Sequence, residues 1–268
     1  ALNIVEDIVI TQQKSEILYV HRTTGDREIY WLNSRSSAYN EATISFRING
    51  KIPILFNPIT GKVHKIGYEM QGERTIIDLK FDPWDAYFIV FEGKTTLKKV
   101  KIPTWELTST TSVDGNWKVN FQANRGAPDE AIEFPQLISY TASTEKGIKY
   151  FSGTASYKNS FEIKSLNKSE KVELDLGDVK NLAEVHLNGK KVGVVWKKPF
   201  KIDVSTYVQK GKNLLEIKVI NSWVNRLVGD EQPGVKKMTF TTLPLFNQNS
   251  PLEESGLLGP VKLLHLHQ

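Results

Sequence analysis

The sequence has no cysteine among its 268 residues. Disulfide staples, thiolate nucleophiles and cysteine-ligated zinc are therefore excluded. Also missing is any apolar run long enough for a membrane span. The first residues, ALNIVEDIVITQQKSE, have neither the basic head nor the apolar centre of a signal peptide, so an export signal is expected upstream or already removed. There is no glycine-rich phosphate loop and no nucleophile elbow, because Gly153 leads into alternating residues rather than a helix. Helical periodicity is nearly absent. The only candidates are brief turns such as residues 205–209, where Asp203 or Ser205 can cap. Without strand–helix alternation, a catalytic barrel or doubly wound sheet is not expected here.

A hydrophobic content of 40% suffices for sizeable cores, which argues against disorder. The net charge is +5 with a pI near 9.1, but the lysines lie in scattered pairs (Lys98-Lys99, Lys190-Lys191, Lys197-Lys198, Lys236-Lys237) with carboxylates between them. That pattern reads as solubilising charge rather than a nucleic-acid footprint. The absence of cysteine leaves the compartment open.

What is present is β pattern. Residues 1–16 read as a lead-in that something precedes. From Ile17, ILYVHR, EIYWLNS, ATISFRI and KIPILF follow one another with Gly25-Asp26 and Asn49-Gly50 between them, as antiparallel strands do. TIIDLKF alternates Ile77, Leu79 and Phe81 against Asp78 and Lys80, and AYFIVFE is apolar enough to be covered on both faces. The basic stretch TTLKKVKIP marks a boundary, giving one β-sandwich domain over 1–102 and a second over 103–268. In the second, EVHLNGKKVGVVW predicts a tight I′ hairpin at Asn188-Gly189, and LLEIKVIN places Leu215, Ile217 and Val219 on one face. The expected class is all-β, two antiparallel sandwiches, the second a jelly roll.

Tyr150-Phe151-Ser152-Gly153 with Ala155 and Tyr157, Leu187-Asn188-Gly189-Lys190, and Pro199-Phe200 with Ile202-Asp203-Val204 resemble the sugar-binding, galactose-binding-like jelly roll of family 2 glycoside hydrolases. More narrowly, Asn221-Ser222-Trp223-Val224-Asn225-Arg226-Leu227 with Gly229-Asp230, and Ser250-Pro251-Leu252 with Ser255-Gly256-Leu257-Leu258-Gly259-Pro260-Val261, resemble the C-terminal region of family 106 glycoside hydrolases, the α-L-rhamnosidases. His21-Arg22 with Gly25-Asp26 and Ile29-Tyr30 is similar to the segment by which that family's chain leaves its barrel. The resemblance spans about residues 17–261 and departs at Tyr140, where tryptophan is expected. It implies that the catalytic carboxylates belong to a barrel upstream, so no catalytic residue is expected in this chain. The implied partners are that catalytic domain of the same polypeptide and carbohydrate, such as a rhamnose-containing plant polysaccharide, in a periplasmic or extracellular setting. No nucleic acid or membrane partner is implied.

Sugar recognition needs an aromatic face for the C–H patch of a pyranose and planar amide or guanidinium groups for its hydroxyls. Trp196, Asn221, Trp223, Asn225 and Arg226 supply both in neighbouring segments and are the expected carbohydrate contacts. Two structural readings stay open beside this one: strand alternation carries Trp196 inward beneath Pro199-Phe200, and Trp223 pins the loop after LLEIKVIN. The carboxylate pairs Asp129-Glu130, Asp230-Glu231 and Glu253-Glu254 are expected in loops, diverging into solvent rather than flanking a glycosidic bond. His265 and His267 share a strand face without a third ligand, so no metal site is expected, and no cofactor is derived although a structural calcium ion is compatible. His186 is expected to be exposed. His21, Arg22 and Asp26 are expected to form a polar corner. Two alternatives remain beside an accessory region: an autonomous carbohydrate-binding module and a small complete glycosidase.

Overall fold

The computed structural model describes residues 5–11, 16–167 and 169–268. The chain divides into two compact units, residues 1–104 and 105–268. Both are built of antiparallel sheets enclosing a core, as the alternation in the sequence requires.

The first unit pairs two five-stranded sheets. One runs in the order Ile8–Thr11, Asn40–Phe46, Arg74–Phe81, Tyr68–Gln71, Lys99–Val100, and the other in the order Ile17–Thr24, Arg27–Ser34, Ala86–Lys94, Lys51–Phe56, Val63–Lys65. Ile44, Phe46, Ile77, Leu79 and Phe81 from the first sheet meet Tyr30, Leu32, Ile89 and Phe91 from the second in one apolar cluster. Within residues 1–16, read from the sequence as a lead-in, a strand not foreseen there runs over Ile8–Thr11: Ile8 to Thr11 pair with Phe46 to Thr43, and Ile8 is buried. Residues 1–4 and 12–15 of that lead-in lie outside the described residues.

The register exposes an unusual second face. Side chains directly opposite one another share a face, and Val20 pairs with Trp31, Trp31 with Phe88, Phe88 with Phe56, and Phe56 with Val63. Trp31 alternates with the core residues Tyr30 and Leu32, so this row of five apolar side chains points away from the core. Val20, Phe56 and Val63 are exposed.

The second unit holds a six-stranded sheet, in the order Ile132–Phe134, Trp117–Phe121, Thr154–Ile163, Gly211–Ile220, Leu182–Leu187, Lys190–Val195. A four-stranded sheet orders Glu106–Ser112, Lys262–His267, Lys171–Asp175, Lys201–Asp203, and Asp178–Lys180 pairs with Gly256–Gly259. Val119, Tyr157, Val185, Ile217, Leu174 and Leu263 share one core, so this too is a sandwich. The hairpin turn is as expected: Asn188 and Gly189 both have positive φ, 51° and 78°. Asn188 also clamps the turn, donating from Nδ2 to Tyr207 O and Asn213 Oδ1 while its Oδ1 accepts from Leu214 N. Residues 205–207 form a turn, not a helix. Short α-helices of this unit lie instead at Lys146–Lys149 and at Val224–Asp230, the latter where the sequence reads as a loop.

Candidate functional site

Strand directions gather the expected sugar contacts at one end of the six-stranded sheet. Gln122 N–H donates to Thr154 O, Thr154 pairs with Ile220, Ile220 with Leu182, and Ala183 with Val195. The segments after Phe121, Ile220 and Val195 and before Thr154 and Leu182 therefore emerge together. Trp196 and the run Asn221 to Arg226 belong to this end, two strands or about 10 Å apart at the usual strand spacing.

Trp196 is 58% exposed. The reading that strand alternation buries it beneath Pro199-Phe200 fails at a β-bulge between Val185 and His186, where Val192 has no partner of its own. One extra residue inverts every side chain beyond it. Val195 thus turns inward opposite Ala183, and Trp196 turns out. Trp223, 47% exposed, stands at the start of the helix with the Arg125 guanidinium 4.8 Å from its ring centroid, a cation–π contact.

The polar members of the set are engaged internally. Asn221 accepts from Gly153 N at 2.9 Å and donates to Phe151 O at 2.8 Å, stitching the loop that opens the Thr154–Ile163 strand. Asn225 is buried, donating to Glu253 O and Ser255 Oγ and accepting from Glu253 N. Arg226 is buried with its Nε 3.0 Å from Asp230 Oδ1, in contact as an ion pair rather than as an aligned hydrogen bond. Its backbone N–H donates to Ser152 Oγ. Asp230 Oδ2 accepts from Met238 N, Thr239 N and Thr239 Oγ1 at 3.0, 2.8 and 2.6 Å. What this end offers a ligand is therefore two exposed indoles with Arg125 beside one of them, while the amides fix the loops that carry them.

Arg125 and Ser152 were not marked as site residues in the sequence, and Asp230, expected in a loop and diverging into solvent, is instead buried at the end of the helix Val224–Asp230. Arg226 and Asp230 stand four apart, the spacing that brings side chains together on a helix. That signal is masked by Gly229, a poor helix former. Glycine is there because a Cβ would lie 2.5 Å from Cβ of Tyr150.

The remaining candidates fall elsewhere. Asp129 and Glu130 are exposed, Glu253 accepts from Ser222 Oγ at 2.8 Å, and Glu254 pairs with Lys180 at 3.1 Å. Among the described residues no group of three or more His, Asp or Glu is placed to hold a metal ion. His265 contacts Glu170 Oε1 through Nδ1 and Thr111 Oγ1 through Nε2. His186, expected to be exposed, is half-buried against Glu184 at 2.7 Å. The polar corner at His21 differs from expectation in its members: Nδ1 meets Asp7 at 2.9 Å and Nε2 meets Glu28 at 3.0 Å, with the ring stacked 4.0 Å from Tyr30. The strand pairing sets His21 opposite Tyr30, whereas Arg22 alternates to the other face. Burial alone raises the Glu28 carboxyl, but hydrogen bonds from Thr23, His21 and Lys51 outweigh it and hold Glu28 below its ordinary value.

Residues 1–70 match the family model described as alpha-L-rhamnosidase, glycoside hydrolase family 106. Residues 138–249 match the galactose-binding-like domain of family 2 glycosyl hydrolases. A solved rhamnosidase from Novosphingobium sp. PP1Y is 39% identical, with a TM-score of 0.91 over 97% of this chain and 25% of its own. A Formosa agariphila protein named "Putative beta-glucuronidase" is 40% identical over 195 residues, 63% of this chain and 16% of that protein. The chain thus spans about a quarter of the rhamnosidase and less of the Formosa protein. No helix among the described residues is long and apolar enough to cross a membrane. By sequence and fold the chain is similar to the C-terminal region of a family 106 glycoside hydrolase, with a family 2-type galactose-binding-like jelly roll.

Proposed function

We propose that this chain is a non-catalytic accessory β-sandwich region of an α-L-rhamnosidase-like glycoside hydrolase, with the domain boundary near residue 103. It supports a catalytic domain elsewhere in the same polypeptide and contacts carbohydrate through Trp196 and Trp223, with Asn221, Asn225 and Arg226 holding the loops. The observation that carries the reading is the outward apolar row Val20, Trp31, Phe88, Phe56 and Val63 in the first unit. An antiparallel sheet with one face in water normally alternates apolar with polar residues, and this face does not. The similarity to a quarter of a rhamnosidase supplies the kind of body such a face is made to meet. The proposed setting is periplasmic or extracellular, where a rhamnose-containing plant polysaccharide is met.

Calorimetric titration of the purified chain with rhamnose-containing oligosaccharides tests the sugar contacts. Heat of binding that disappears in Trp196→Ala and Trp223→Ala supports them. Binding that survives both substitutions refutes that assignment, and release of rhamnose from an aryl rhamnoside by this chain alone overturns the non-catalytic reading.

A further inference from the structure

The long segment between the helix Val224–Asp230 and the strand Gly256–Gly259 has an apolar tip held in a fixed position. Phe240 is 89% exposed, Leu243 65% and Leu245 76%, with Met238 also exposed. This is not slack chain. Asp230 holds the near side through Met238 N, Thr239 N and Thr239 Oγ1. Gln232 holds the far side, its Nε2 donating to both Val228 O and Gln248 O. Asn247 and Ser250 close the return, Asn247 N–H donating to Ser250 Oγ and Ser250 N–H to Asn247 O. The anchor beneath is the buried Arg226–Asp230 pair. Loops in water are ordinarily polar, and residues 238–246 contain no charged side chain. A latched, uncharged and apolar tip is a contact surface awaiting a partner.

We infer that residues 238–246 dock into an apolar groove on the catalytic portion of the same polypeptide, an inference that rests on the accessory reading above. Two facts favour that occupant over a second copy. The tip presents only a handful of apolar side chains, whereas a standard interface between separate proteins takes roughly 20–30 residues a side. A small patch suffices when the partner is covalently tethered, because tethering sets a local concentration on the order of millimolar. The rhamnosidase that matches 97% of this chain has three-quarters of its length outside the matched part, ample for such a partner.

Amide hydrogen exchange tests this by comparing the 268-residue chain with the full polypeptide that carries it. Exchange across residues 240–246 is expected to slow at least about tenfold in the full polypeptide, and F240S/L243S/L245S is expected to remove the difference. These residues are exposed, so the variant leaves the melting midpoint of the 268-residue chain unchanged. Equal exchange in the two contexts, in a polypeptide that does hydrolyse a glycoside, overturns the docking inference and leaves the accessory reading standing. A 268-residue chain that sediments as a dimer, and reverts to monomer in the variant, overturns it in favour of a second copy. A full polypeptide with no glycosidase domain overturns both.

Discussion

The main sheets of the two units resemble each other on their inner faces and differ on their outer ones. Inside, both are lined by alternating branched and aromatic residues, with Tyr30, Phe46 and Phe91 edge-to-face in the first unit and Tyr157 against Trp117 and Phe134 in the second. Outside, the six-stranded sheet of the second unit carries a ladder of charge. Glu184 meets His186, Lys191 and Lys218, and Glu216 meets Ser156 and Lys158. The corresponding face in the first unit carries the row Val20, Trp31, Phe88, Phe56 and Val63. Inner faces are dictated by the need for a core. Outer faces are free to record what each sheet meets, which is water for the charged ladder and, on the accessory reading proposed above, another apolar surface for the row.

That contrast predicts where charge matters. On the ladder it is screened, whereas at Asp230 it is buried and paired. Asp230→Ala removes three hydrogen bonds and strands the Arg226 guanidinium. We expect a loss of about 3–5 kcal/mol, as when one partner of a buried pair is removed, seen as a lower urea midpoint for the second unit. A double replacement, Arg226→Met with Asp230→Leu, is expected to recover part of that loss because no charge remains uncompensated. A single variant that unfolds no more easily than the parent would show that the latch is incidental to stability.

The outer row of the first unit sharpens the comparison at intermediate size. Phe56→Ser with Val63→Ser is expected to change the stability of this chain by no more than about 1 kcal/mol, since both residues are exposed and only sheet preference is altered. Tyr30→Ala, on the inner face of the same sheet, is expected to cost about 3–5 kcal/mol. In the full polypeptide the outer pair should become costly too. If it stays neutral there, the row meets nothing, and the contrast between the faces has no functional content.

Most of the architecture was legible from period-two alternation and turn chemistry, because these are local: Asn188-Gly189 can satisfy a I′ turn wherever the chain goes next. What was not legible depended on pairing across the sheet. The bulge at Val192 cannot be read from KVGVVW, where every side chain suits a strand in either register, yet it decides that Trp196 faces out. The helix Val224–Asp230 is too short to show a period, and its glycine answers to Tyr150, seventy-nine residues earlier. His21 was rightly marked as a polar corner, but its partners are not its sequence neighbours Arg22 and Asp26: Glu28 is brought in by the pairing of the His21 strand with Arg27–Ser34, and Asp7 comes from the opposite sheet, just ahead of the strand Ile8–Thr11. The candidate sugar set illustrates the same limit. Residue type suggested five contacts, whereas burial decides which of them have atoms left to offer.

The smallest expected effect lies on the charged ladder and tests whether its charges are merely solvating. The Lys191 hydrogen bond, followed by that from His186, holds Glu184 down from the usual 4.5 to about 2. A carboxylate with a lowered value in the folded state stabilises the fold above its ordinary value and loses that contribution as pH falls towards the folded one. The window is therefore pH 4.5 to about 2. Because the side chain remains one-quarter exposed, solvent and salt screen the interaction, and Glu184→Gln is expected to cost less than about 1 kcal/mol at neutral pH. The cost should fade both in molar salt and as the pH is taken through that window, measured as the difference between parent and variant in urea melts. A difference that persists in high salt and at low pH would mean that Glu184 acts through packing, and the ladder would then be as much a part of the sandwich as the face beneath it.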